Sequence, residues 1–215
     1  VTGVQTCALP ISAGLICASG TCILPVTGAG SDGVGGVSTG VTSINAVRSP
    51  LVGMAGATSV TVSAPAGFAA GQMVFLHQTQ GAGAGLWEVA AVTAVTGGTL
   101  TLATPLANGY ATDTVNRAQA VVMPQYSAFT QTGGTLTAPA WNGSTGGILA
   151  FVAVGAVTLS GGTVEMSGRG FRGHPLVSAA NRAGEQGEGV GGYGGQSTAS
   201  NGNGGGGGGR TGCEC

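Results

Sequence analysis

The sequence predicts an all-β fold: a small antiparallel β-barrel or sandwich, then the start of a parallel β-helix or solenoid, then a disordered glycine-rich tail. Three observations predict it. Short β-branched runs separated by glycine-containing turns fill the middle of the chain, with no helical period anywhere. Beyond residue 131 the strands shorten, and Ala156-Val157-Thr158-Leu159 and Thr163-Val164-Glu165-Met166 recur at a seven-residue offset with apolar side chains two apart. Between residues 183 and 209, 14 of 27 residues are glycine, too little apolar surface to offset the entropy of ordering them.

Taken in order, residues 1–12 (V-T-G-V-Q-T-C-A-L-P-I-S) have neither period and lack the basic and apolar regions of a signal peptide. Over Val1 to Ile11 they resemble a translated sequencing adapter, so they are expected to be an artefact, with the true start missing and Cys213-Glu214-Cys215 marking another read boundary. Residues 13–57, rich in Gly, Ser, Thr, Ala and Val, read as a flexible leader with a short strand at 43–47. Residues 58–131 read as the barrel or sandwich module, with strands at 59–62, 72–78, 86–95, 99–102 and 118–122. Gly97-Gly98 between alternating runs is a hairpin signal. Residues 132–182 read as solenoid-like rungs, with 135–137, 148–152, 156–159 and 163–166 as strands that must stack on neighbours, and 183–215 as the low-complexity tail.

Composition excludes several classes of function. Charged residues are 6% of the chain, against about 25% in an average soluble domain. All six basic residues are arginine and the net charge is −1, which offers no basic face for nucleic acid. No apolar run of about 18 residues is present to span a membrane as a helix.

Few residues invite chemistry. Cys17-Ala-Ser-Gly-Thr-Cys22 closes a loop that a disulfide would suit in an oxidising compartment, whereas Cys213-x-Cys215 is too tight for a zinc knuckle. Two G-x-G-x-x-G matches, at 28–33 and 189–194, precede no helix, and His77 and His174 have no second ligand at metal spacing. The carboxylates offer no pair: Glu88 and Glu165 are expected to face solvent, and Glu185 and Glu188 lie in the glycine tail. No catalytic, cofactor-binding or metal residues are therefore assigned, and no cofactor is expected. Three residues remain as candidate ligand contacts. Arg169 and Arg172 lie in Ser167-Gly-Arg-Gly-Phe-Arg-Gly173, where a structural reading (guanidiniums on loop carbonyls, Phe171 packed at the rung ends) outweighs sugar or anion binding. Trp141, in Trp141-Asn-Gly143, and Trp87 read as core or turn anchors before carbohydrate platforms, with Trp141 the more exposed of the two.

Several stretches resemble the N-terminal part of large glycine-rich extracellular proteins of Gram-negative bacteria. They are 57–62 (A-T-S-V-T-V), 66–74 (A-G-F-A-A-G-Q-M-V), 118–126 (A-Q-A-V-V-M-P-Q-Y), 136–143 (L-T-A-P-A-W-N-G) and 168–173 (G-R-G-F-R-G). The G-F-x-x-G-x-x-V element at 67–74 is also similar to small β-barrel modules of phage tail and surface fibres, where an Asp often stands at the place of Gln72. The resemblance implies a secreted or cell-surface, adhesin-type structural protein with no chemistry of its own, meeting surface polysaccharide or matrix. The alternative is a carbohydrate-binding or polysaccharide-acting, lyase-like β-helix, for which only Glu165, Arg169 and Arg172 lie near one another.

Overall fold

The computed structural model describes residues 28–173 and 187–194, and the backbone alone of 16–18 and 21–23. In chain order the strands are β1 (Ile16–Ala18), β2 (Thr21–Ile23), β3 (Val34–Val37), β4 (Val41–Ser43), β5 (Arg48–Val52), β6 (Ser59–Val62) and β7 (Met73–Gln80). There follow β8 (Trp87–Thr96), β9 (Thr99–Leu102), β10 (Arg117–Met123), β11 (Gln125–Tyr126), β12 (Ala128–Thr137), β13 (Val152–Ala153) and β14 (Val157–Val164).

Six strands close an antiparallel barrel in the order β10-β5-β6-β9-β8-β7. The alternation of β6 and β9 points Val60, Val62, Leu100 and Leu102 inward, where they meet Leu51, Val74, Leu76 and Val92 in a dry core. Closure leaves this sheet no free edge, so the module needs no covering layer on that account. Gly97 takes a φ of 57° in the β8–β9 turn, as a two-residue hairpin requires.

The second unit is a parallel stack. β12 lies in its middle, with β3 and β4 along one side and β14 along the other. The chain makes its first rung before the barrel and its next two after it, so the barrel is an insertion between rungs of a β-helix-like stack. Each rung bends at a glycine with left-handed φ: Gly40, Gly134 and Gly162. A Cβ at Gly134 would stand 2.8 Å from Gly40 O, so the corner has no room for a side chain. Phe129 and Leu136 of the middle rung pack with Val37, Ile44, Tyr126, Leu149 and Phe151.

Four expectations change. Within the supposed flexible leader, β3, β4 and β5 are regular strands, because their ladder partners come from residues far along the chain. The two rungs expected at 156–159 and 163–166 are one strand, β14, carried through its corner by Gly162. The repeat that stacks relates Phe129 to Val157 and Leu136 to Val164, an offset of 28 in both cases. The strand expected at 148–152 shrinks to β13, because the N–H and C=O of Ala150 bond to the side chain of Asn45. Finally, residues 187–194 of the tail are docked against the barrel through Gly81 N to Gly189 O at 2.9 Å.

Asn45, 4% exposed and at φ 61°, stands where the first rung leads into the barrel. Its amide donates to Val122 O at 2.9 Å and Ala150 O at 2.7 Å and accepts from Ala150 N at 2.9 Å. One side chain thus joins the chain's entry to the barrel, its exit, and the rung stack.

Candidate functional site

β7 and β8 pair with His77 opposite Trp87 and Phe75 opposite Val89. Val74 and Leu76 fill the barrel core, so Phe75, His77 and Trp87 share its outer face. Their rings form a line. Trp87 stacks on Phe75 (centroids 5.6 Å, planes 23° apart), Phe75 on His77 (5.8 Å, 23°) and His77 on Phe171 (5.4 Å, 12°), and Phe171 meets Trp141 edge-on at 5.2 Å. The line runs from interior to surface: Trp141 is 8% exposed and His77 6%, whereas Trp87 is 56% exposed. The order of the two tryptophans is therefore the reverse of that expected from the sequence. Trp141 belongs to the 138–147 segment, which Gly146 ties to Gln119 of β10, while Trp87 begins a strand after the glycine-rich turn at 81–85.

The inner end of the line is held by polar groups. The Gln119 amide donates to Thr79 Oγ1 at 3.1 Å and exchanges two hydrogen bonds with Gly146, and Thr79 Oγ1 lies 3.0 Å from His77 Nδ1. Glu188 is wholly buried, contrary to its expected place in an unstructured tail. Its Oε1 accepts from Trp141 Nε1 at 2.9 Å and from Arg172 Nε at 2.6 Å, and Arg172 Nη2 is also 2.6 Å away. The other oxygen, Oε2, is buried with no hydrogen-bond partner among the described residues. Arg172, its side chain 47% exposed, lies over the Tyr193 ring at 4.4 Å.

The candidate contacts thus separate. Trp141 is interior and Arg172 has its charge matched by Glu188. Arg169 donates to Ala138 O at 3.1 Å, the loop-carbonyl bond of the structural reading. Cys17 and Cys22 face each other in the β1–β2 register, and their side chains lie outside the described residues, as do His174, Glu185, Cys213 and Cys215.

Every described carboxylate is engaged by donors of this chain. Glu88, expected to face solvent, is half-buried and accepts from the N–H groups of Ala107 and Asn108 and from the Tyr110 hydroxyl. Burial and then the Glu88 charge push the Tyr110 phenol far above its ordinary range. Glu165 accepts from Ser167, and Asp113 from Asn116 and Val115, and these hydrogen bonds lower both acids. Among the described residues, no three His, Cys, Asp or Glu side chains come together as a metal-binding group, and no helix is long and apolar enough to cross a membrane.

A concavity of about 580 Å³ opens where the barrel meets the rungs, lined by the turns around Asp32, Asn45, Gly71 and Gln125.

No protein-family model and no curated protein matches the chain. Among solved structures, the Gp54 tailspike of Acinetobacter baumannii bacteriophage AP22, in complex with capsular saccharide, is similar with a TM-score of 0.34 and 11% identity, over 61% of this chain and 27% of that one. The tailspike protein gp49 from Pseudomonas phage LKA1 is similar with a TM-score of 0.32 and 16% identity, over 50% of this chain and 27% of that one. The chain spans about a quarter of the length of either tailspike.

Proposed function

We propose that this chain is a saccharide-binding module of an adhesin-type secreted or cell-surface protein, with no chemistry of its own, and that Trp87 is its principal contact. The observation that carries the reading is the open indole of Trp87, backed by Phe75 in a line of rings anchored to the barrel. A flat apolar face held by stacking from behind loses little freedom on binding, and the C–H face of a pyranose fits it. The scarcity of charge, 6% of residues, favours a neutral, hydroxylated partner over a polyanion. The location and the adhesin-type role draw on the sequence resemblance to glycine-rich extracellular proteins. The reading without chemistry is supported by the described carboxylates, each held by hydrogen bonds that serve the fold.

Affinity electrophoresis through gels containing neutral polysaccharides tests the reading. At least one polymer is expected to retard the protein, and Trp87→Ala to weaken that retardation roughly ten-fold or more while leaving the fold intact, since the ring is mostly exposed. Retardation unchanged in Trp87→Ala sinks the assignment of the contact, and cleavage of a polymer with release of new ends sinks the non-catalytic reading.

A further inference from the structure

The concavity between barrel and rungs belongs to neither unit alone. Its walls come from the turn before β3, the β4–β5 connection, the β6–β7 turn and the β10–β11 connection. At about 580 Å³ it falls within the roughly 300–1,000 Å³ of ordinary small-molecule sites, which favour such junctions. Ile44, Val122 and Met123 contribute an apolar surface to it. Asp32, Ser43 and Tyr126 also line it, and the half-buried Tyr126 ring is braced at 5.3 Å by Phe129 and at 5.7 Å by Phe151.

The polar walls are built before any ligand arrives. Asp32 takes Gln125 N on Oδ2 at 2.7 Å, while its own N–H donates to Gln125 O at 3.0 Å. The Gln125 amide accepts from Ala29 N at 3.0 Å and donates to Gly71 O at 2.8 Å, which ties the rung side of the cleft to the barrel side. Gln72 is held by Ala69 N and Gly67 O. Burial and the Asp32 charge raise the Tyr126 phenol, so this lining residue is a hydroxyl and not a phenolate at neutral pH. Among the described residues no arginine lines the cleft, and Asp32 is the one charged side chain on its walls. That pattern repels phosphate, sulfate and uronate, and suits a ligand with an apolar face and several hydroxyls.

We infer that this junction cleft is a second, independent site, which takes a single neutral pyranose unit with its C–H face towards Tyr126 and the apolar wall and its hydroxyls on Asp32 and Ser43. The inference takes its ligand class from the function proposed above but uses none of the residues of the Trp87 shelf. A long neutral polysaccharide would then meet the chain at two points, while a monosaccharide unit would be held only in the cleft, where residues of both units line it.

Titration of the whole chain with the methyl pyranosides of glucose, galactose, mannose and N-acetylglucosamine, followed by amide proton–nitrogen correlation NMR, tests this. At least one is expected to shift the amides of Ser31, Asp32, Gly71, Gln72 and Tyr126 saturably, and methyl glucuronide to shift none. Ala70→Trp, at an exposed position on the rim, is expected to abolish these shifts by filling the cleft, and Asp32→Asn to weaken them at least several-fold. Neither variant touches the barrel core, and an unchanged spectrum elsewhere verifies folding. Trp87→Ala is expected to leave the cleft shifts intact, so loss of shelf binding and loss of cleft binding are read separately. The inference is overturned if no neutral pyranoside shifts these amides, if the glucuronide shifts them equally, or if the shifts survive Ala70→Trp.

Discussion

At the scale of single residues, the polar side chains of this protein act mostly as fasteners. Asn45 holds a left-handed φ that asparagine tolerates better than other non-glycine residues, and its amide satisfies three backbone groups at once. Asn45→Ala strands those groups in a buried place and keeps the unfavourable φ, so a loss of about 3 kcal/mol in chemical denaturation is expected. Tyr110 and Glu88 make a second fastener, with a pH signature. The folded-state pKa of Tyr110 is raised, so its contribution to stability is complete below the unfolded-state value of about 10 and falls as pH climbs from there towards the folded value. Alkaline unfolding should therefore set in above about pH 10 and be blunted in Tyr110→Phe; phenolate absorbance that appears for Tyr110 before the protein unfolds would contradict this.

At the scale of elements, strand identity was far more legible than strand partnership. The β6, β7, β8, β9 and β10 strands could be read within a residue or two from β-branched alternation and from Gly97-Gly98, because a barrel hairpin carries its pattern in neighbouring residues. The rungs could not. Their repeat unit, four residues, a glycine corner and three more, stands at 34–43 and again at 128–137, with Val34 opposite Ala128, an offset of 94 that no local window detects. A legible trace existed in Thr132-Gly-Gly-Thr135 and Ser160-Gly-Gly-Thr163, which lie 28 apart. The 187–194 segment was hidden for another reason: its order comes from Glu188 entering a slot made by Trp141 and Arg172, not from its own composition. Glu188→Ala leaves the indole N–H and the guanidinium without their acceptor. With Arg172 half exposed, a cost of about 1–2 kcal/mol is expected rather than the larger loss of a fully buried pair. Hydrogen exchange at Gly81 and Glu188 should accelerate, since Gly81 N bonds to Gly189 O and Glu188 N to Arg172 O; unchanged protection there would show that the segment is held by other contacts.

At the scale of the whole molecule, low charge sets the behaviour. With six arginines, seven acids and a net charge of −1, there is little long-range field to screen. Saccharide retardation and the unfolding free energy are expected to change by less than about two-fold and about 0.5 kcal/mol, respectively, between low and roughly molar sodium chloride. A steep fall of binding with salt would instead point to a charged partner. The junction between barrel and rungs matters at this scale too, because the inserted barrel is fastened at both connections and along its β7–β10 face by Gln119 and Phe171. The two units are therefore expected to share one unfolding transition.

The sequence by itself determined the class of this protein: all-β, turn-punctuated, poor in charge, with a hairpin-built barrel or sandwich ahead of short solenoid-like strands. Those properties live in composition and in patterns a few residues long. Only the tertiary structure decided which strands stack, that the barrel interrupts the rungs, that Trp87 and not Trp141 reaches the surface, and that Glu188 is buried. Each of these depends on residues 28 to more than 90 positions apart being brought together, and in so glycine-rich and uncharged a chain the local sequence carries little that distinguishes one distant partner from another.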